Sequence, residues 1–349
     1  GDAEGLTYVA VAVQALGSFR EANETFQLAS RADPARVETQ LLWAEMFLQK
    51  YDTGHAEESV REALRANPNG APAHVRMARI KMEQSFDFLH ADRELDAALR
   101  VNPNSVEAHA FRAALRLRDL DFAGAEPELR AALVVNPNDL YALSLVAAAR
   151  FLADDRAGFD AAEREVLRRN PKYAAMYGIV AEFADWEHRY EEIVALMAEA
   201  QRVDPQWWPA LAHIGMNRLR MGDEERGIEA LRQAWDHDRF NVRVANLLNL
   251  YDETIRRDYV VEQTKNMRVR MARAERDVLR HYVPGLLDRA WAAFVQKYGF
   301  TPQGPVQIEM YATEEAFSVR TAGLPNVGVQ GVCFGKVVTA LSPGGGPFN

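Results

Sequence analysis

Residues 102–137 read NPNSVEAHAFRAALRLRDLDFAGAEPELRAALVVNP, and the stretch opens and closes on the same Asn-Pro pair. The pair belongs to a lattice: Asp33-Pro34, Asn67-Pro68, Asn102-Pro103, Asn136-Pro137, Asn170-Pro171 and Asp204-Pro205 recur in steps of 34, 35, 34, 34 and 34 residues. At a proline background of about 5%, five further hits on a fixed grid have a chance of about 10⁻⁶, or about 10⁻⁴ once the register is free. Proline cannot continue the helix before it, and its fixed φ suits the entry to the next. Asn or Asp before it favours a turn. Each period therefore predicts two amphipathic helices. In the second of them Ala22 and Ala29, Ala56 and Ala63, Ala91 and Ala98, and Ala125 and Ala132 flank Phe26, Val60, Leu95 and Leu129. Small, large and small at i, i+4 and i+7 lie on one helix face, where two helices must approach closely. The first helices supply Ala44, Ala78, Ala113, Ala147, Ala181 and Gly215. The next lattice point, Asp238-Arg239, lacks the proline, and the pattern is expected to fade there.

At these positions the sequence resembles the tetratricopeptide repeat (TPR), over about residues 3–240. Phe159 and Ile193 depart from it, standing where alanine is usual, and the third unit carries one extra residue. The resemblance implies a mostly α fold: a right-handed α-α superhelical TPR solenoid of about seven repeats, whose stacked hairpins bury a continuous core. It also implies a protein- or peptide-binding scaffold whose inner surface comes from the first helices. Aligned by their prolines, the units bring Arg79, Arg118, Tyr141, Phe151, Trp186 and Arg220 near that concave face. Aromatic and guanidinium groups often anchor partners, although such positions are also commonly buried within helical arrays. The Trp207-Trp208 pair opens a helix and is expected to serve packing.

After about Asp258 the lattice gives way to β-type patterns, so two domains are expected, residues 1–257 and 258–349. Met267, Val269 and Met271 alternate with Arg268 and Arg270, as in a half-buried strand. A helix is expected from Glu275 to Tyr298, closed by Gly299 and kinked or divided at Pro284. Residues 305–311 alternate again, a short helix follows Thr313, and residues 329–334 and 336–341 surround Gly335 as a hairpin. The result is a small α+β subdomain that reads as incomplete. Residues 315–325 and 331–338, followed by Ser342-Pro343, are similar to the upstream half of peptidase MA-like (gluzincin) metalloprotease domains, over about residues 259–349. The resemblance implies a zinc-peptidase parent, with the edge strand Gly331, Val332, Cys333 and Phe334 pairing with extended substrate. Its decisive H-E-x-x-H motif is missing, because none of the eight histidines is followed by Glu with a second His four residues on. No catalytic residue, metal ligand or cofactor is therefore expected in this chain, and zinc only in a longer parent. His281 reads as a surface or helix-capping residue rather than a ligand.

Composition narrows the classes further. With 41 Lys and Arg against 50 Asp and Glu, the net charge of −9 argues against a long nucleic-acid footprint. The most basic run, Lys265, Arg268, Arg270, Arg273, Arg276 and Arg280, reads as a solvated face. Cys333 is the only cysteine, which excludes an intrachain disulfide, and it is expected to be buried or half-buried. No apolar run reaches the ~20 residues of a membrane span, and the start lacks the layout of a signal peptide, leaving the compartment open. Residues 328–335 lack the strand-to-helix context and the Gly-Lys-Ser/Thr ending of a phosphate loop. The expected function is a protein- or peptide-binding scaffold, the recruiting arm of a zinc-peptidase-like parent. A structural oligomerisation module is the alternative.

Overall fold

The computed structural model describes residues 2–85, 87–326 and 328–345. The chain forms two compact units, Gly1–Phe183 and Ala184–Asn349. The first is built of helical hairpins: α1 (Ala3–Ala15) with α2 (Phe19–Ala32), α3 (Val37–Gln49) with α4 (Thr53–Ala66), α5 (Ala71–Ser85) with α6 (Phe88–Val101), α7 (Val106–Arg118) with α8 (Phe122–Val135), and α9 (Leu140–Leu152) with α10 (Arg156–Arg169). Helix α11 (Ala175–Trp186) runs across the division between the units.

The Asx-Pro lattice works through a local hydrogen bond. Each Asx residue ends a second helix in extended conformation, and its side chain accepts the N–H two residues on, as in Asn67 with Asn69 and Asn102 with Asn104, both at 3.1 Å. Proline, between the two, has no N–H to satisfy. A second lattice caps the other turn: Asp52, Asp87, Asp121 and Asp155 each accept the N–H three residues on at the start of α4, α6, α8 and α10. The small-large-small wall is closed as expected. Ala22, Ala29, Ala56, Ala63, Ala91 and Ala98 are fully buried, as are Phe26, Val60 and Leu95 between them. First helices also contact one another in order, α1 with α3, α3 with α5, α5 with α7 and α7 with α9, so one layer of the stack is made of first helices alone.

In the second unit the hairpin lattice continues through α12 (Tyr190–Val203), α13 (Pro209–Arg220) and α14 (Glu224–His237). It does not fade at Asp238: the Phe240 N–H donates to Asp238 at 3.0 Å, and a further first helix, α15 (Val242–Asn249), follows. The Asx side chain makes this turn without proline. Trp207 and Trp208 are half-buried, and Trp208 stacks on His237 at 3.6 Å between centroids. The α13/α14 crossing is unusually close. A Cβ on Gly215 would lie 2.6 Å from Leu231 Cγ and 2.9 Å from the Gly227 carbonyl oxygen. Gly215→Ala is accordingly expected to cost about 1–3 kcal/mol through overpacking, read from urea unfolding. If the clash is with that side chain, Gly215→Ala/Leu231→Ala should lose less than the sum of the two single losses.

After a π-helical turn, Leu250–Ile255, and the short α16 (Arg256–Asp258), helix gives way to strand at Tyr259. Five strands follow, β1 (Tyr259–Gln263), β2 (Met267–Ala272), β3 (Val306–Tyr311), β4 (Gly331–Cys333) and β5 (Val337–Leu341), in the order β1-β2-β3-β5-β4. β2, β3 and β5 are parallel, while β1 and β4 are antiparallel partners at the two edges. Helix α17 (Arg276–Tyr298) joins β2 to β3 and packs Leu279, Val283, Leu287 and Trp291 over Met267, Val269, Ile308 and Met310. It runs through Pro284 as one helix, so of the expected kink or division the division does not occur, and it ends at Gly299, whose φ is 63°. α18 (Glu314–Ala322) follows β3, and its Phe317 and Val319 belong to the core of the opposite sheet face, with Leu219, Leu231, Leu247 and Tyr311.

On that opposite face lies a buried ionic cluster. Arg270 and Glu309 are partners in the β2/β3 register, with Nη1 to Oε1 at 3.3 Å. Arg320 on α18 pairs with Glu309 at 2.7 Å, and Glu224, at the start of α14, accepts from Arg270 Nη2 at 2.6 and 2.7 Å. Gln307 donates to both glutamates at 2.6 Å, and the Tyr311 hydroxyl donates to Glu309 at 3.0 Å. Arg270 is therefore not part of a solvated basic face: it is 5% exposed, because the sheet is covered on both sides. Two arginines against two glutamates make the cluster neutral, which is what permits its burial.

Candidate functional site

The expected inner-face residues fall in both units. In the first, Arg79 pairs with Glu45 at 3.0 Å and with Glu83 at 2.9 Å. Burial would lower its pKa, but the two carboxylates overcome this and hold it above the ordinary value. Desolvation pushes the Tyr141 hydroxyl up, Glu182 adds to the effect, and Arg79 and Arg118 oppose it. Three expected residues, Arg79, Arg118 and Tyr141, thus share one electrostatic neighbourhood with Glu182. The Tyr141 residue as a whole remains 38% exposed, so the desolvation belongs to its hydroxyl end. Phe151 is half-buried and packs edge-on against Phe159 at 5.6 Å, so the ring that replaces the usual alanine in α10 finds its space against α9.

In the second unit Trp186 is exposed. Arg220 is engaged internally: it pairs with Asp185 and lies over the rings of Tyr190 at 5.4 Å and Phe334 at 5.6 Å. Phe334 is also covered by Arg320 at 5.7 Å. It is buried, one residue past β4, and anchors the strand end rather than presenting a side chain to solvent. β4 itself is an edge strand in which Gly331 and Cys333 are exposed and Val332 is half-buried. Leu341 N–H to the Gln330 carbonyl and Phe334 N–H to the Val337 carbonyl fix the hydrogen-bonded pairs, so the backbone groups of Gly331 and Cys333 point away from β5. Cys333 is exposed, not buried or half-buried, because the edge position leaves its side chain uncovered. Among the described residues no three His, Cys, Asp or Glu side chains converge to hold a metal ion.

One concave feature was concealed by the repeat pattern. A groove of about 440 Å³ runs between α8 and α9, floored by Leu129, Leu133, Val134, Val146 and Ala149 and bordered by Arg130 and Arg150. This volume and apolar lining suit a ligand or peptide site. Val134 is 76% exposed. At the same lattice position, three residues before the proline, five other units carry Arg31, Arg65, Arg100, Arg168 and Arg202. A surface arginine is thus replaced by valine in the one unit whose second helix borders this groove. That substitution was the sequence signal for the groove. Arg130 pairs with Glu126 at 2.6 Å and Arg150 with Asp155 at 3.4 Å, and all four are exposed enough for solvent to weaken the pairs.

The sequence matches no family model and no curated protein. Among solved structures, the chain is similar to TTC0263, a thermophilic TPR protein of Thermus thermophilus, at 19% identity and a TM-score of 0.45, covering 52% of this chain and 98% of that one. It is also similar to a tetratricopeptide repeat protein of Parabacteroides merdae ATCC 43184, at 16% identity and a TM-score of 0.46, covering 71% and 98%. PilW, a type IV pilus biogenesis factor, matches at 19% identity and a TM-score of 0.44, covering 58% and 94%. The hairpins, their period and their closed alanine walls independently make this a TPR-like helical repeat, followed by a small five-stranded sheet.

Proposed function

We propose that the chain is a protein-interaction scaffold that receives an apolar segment of a partner protein in the α8/α9 groove. The observation that carries this reading is Val134, an exposed valine at a lattice position that is otherwise arginine, beside a 440 Å³ apolar groove. A residue that only covered the helix surface would have no reason to lose its charge there. The Arg79, Arg118, Tyr141 and Glu182 neighbourhood on the first-helix side supplies polar groups for a second contact along the same unit. A purely structural oligomerisation role remains the rival, and a zinc-peptidase parent remains a proposal that rests on the resemblance of residues 259–349. In that reading the outward backbone of Gly331 and Cys333 would pair with an extended chain, the ordinary mode of strand addition.

The repeat itself suggests the test. Val134→Arg installs the residue that five other units tolerate, so it should leave the melting temperature unchanged while blocking the groove. Peptides selected against the protein from a displayed random library are expected to carry paired apolar side chains. They should bind the variant about 10- to 100-fold more weakly, the range of an interface anchor. Selected peptides that bind both proteins equally would refute the groove as the docking site.

A further inference from the structure

We infer that helix α17 carries a docking surface for an anionic lipid membrane. In steps of four residues from its first turn, Val278, Tyr282, Leu286, Phe294 and Tyr298 form a ridge, continued by Phe300 just beyond the helix, and these six side chains are 57 to 71% exposed. Ala290 fills the remaining step. The adjoining ridge, Leu279, Val283, Leu287 and Trp291, is the one that holds the helix on the sheet. Two apolar ridges on one helix leave one without a partner. With aromatic residues of 150–250 Å² each, the exposed ridge amounts to roughly 600 Å² of apolar surface, at the upper end of what a monomer ordinarily shows.

Charge decides what covers it. Residues 259–349 carry ten Lys and Arg against seven Asp and Glu, in a chain whose net charge is −9. On α17 the N-terminal cations are neutralised, Arg276 by Glu262 at 2.5 Å and Arg280 by Asp277 at 3.8 Å. Asp288 is turned to Thr264 at 3.4 Å. Among the described residues, Arg289 and Lys297 enter no ion pair, and Lys297 lies over the Tyr298 ring at 5.1 Å. In the half of the helix that carries Phe294 and Tyr298, Arg289 and Lys297 stand against Asp288 alone, so that half is net positive. A second copy docked on the same ridge about a twofold axis would bring these cations toward each other. An acidic lipid surface instead receives both features at once: phosphates take the guanidinium and ammonium groups, and the acyl boundary takes Leu286 and Phe294, with the tyrosine hydroxyls at headgroup level. The last two turns are exposed at Ala292, Ala293, Phe294, Gln296, Lys297 and Tyr298.

The test is sedimentation of the full chain with vesicles of phosphatidylglycerol and phosphatidylcholine, against vesicles of phosphatidylcholine alone. Binding to the anionic vesicles is expected, weakened by salt. It should fall on the order of 100-fold in Leu286→Glu/Phe294→Glu and on the order of 20-fold in Arg289→Ala/Lys297→Ala, with circular dichroism unchanged in both. Tyr298→Trp gives a readout that keeps the surface intact: its emission should shift to the blue on anionic vesicles. No binding to anionic vesicles, or equal binding to neutral ones, would overturn the inference. So would a concentration-dependent dimer that Leu286→Glu/Phe294→Glu abolishes, because the ridge would then belong to a second copy.

Discussion

Glu309→Ala is expected to destabilise the second unit by about 3–5 kcal/mol, the cost of leaving buried charge without its partner. Glu309 is fully buried and is contacted by Arg320, Arg270, Gln307 and Tyr311 together. Without it Arg320, 2% exposed, keeps the Leu219 carbonyl at 2.9 Å and the Phe334 ring at 5.7 Å but no carboxylate partner among the described residues, while Arg270 still has Glu224. The loss should therefore centre on α18 and its hold on α13. Burial alone would raise the Glu309 pKa, but Arg320 and Arg270 outweigh it and hold the carboxyl below the ordinary range. The sign follows: its stabilising contribution is complete above the ordinary carboxylate value and is lost as the pH falls through the lower, folded value. Hydrogen exchange of the β3 amides across a urea series is the appropriate measurement, since two compact units need not unfold as one. Replacing Glu309, Arg270 and Arg320 together by apolar residues of similar volume should recover much of the loss. If the single and the triple variants were equally destabilised, the cluster would be acting through shape rather than charge.

What was legible in the sequence was whatever repeats. Proline at a fixed step, with Asx before it, announces a turn whose chemistry is local, and the alanine walls announce helix contacts for the same reason. The second lattice, Asp52, Asp87, Asp121 and Asp155, was equally regular and equally local, and it is readable once helix starts are sought as well as helix ends. Asp238 shows the limit of reading by proline: the turn depends on the Asx side chain, so losing Pro leaves it standing. The strands were legible by alternation, but alternation cannot tell solvent from a second covered face. Arg270 has the spacing of an exposed residue and the environment of a core residue, because Glu224 reaches it from 46 positions away. Pro284 does not divide its helix, which tertiary packing holds. β1 and the π-helical turn were missed, the first because Tyr259–Gln263 follows a helix without a turn signal. The groove was visible only as one residue breaking a lattice, Val134 among arginines, a signal that requires the period to be known first.

Acidification should weaken the second unit well before Glu309 is protonated, and His213 is the reason. Burial pushes this histidine down to about 4; Asp185 favours its charged form, but Arg220 and Arg243 oppose it. The imidazole is thus neutral in the folded state across a range where the unfolded chain takes up a proton near 6.5. Stability is then full above about pH 6.5, declines as the pH falls toward 4, and levels off below the folded value. Each tenfold change in proton affinity corresponds to about 1.4 kcal/mol, so the total is on the order of 3 kcal/mol. His55 has the opposite sign, since Asp52 raises its pKa. It belongs to the first unit and its side chain is 63% exposed, so it does not offset the loss in α13. Urea unfolding between pH 7.5 and 4, followed by exchange of α13 amides, should show this decline in the native chain and a flat profile over the same window in His213→Gln. An equal slope in both would assign the proton to another group and remove His213 as the origin of the acid sensitivity.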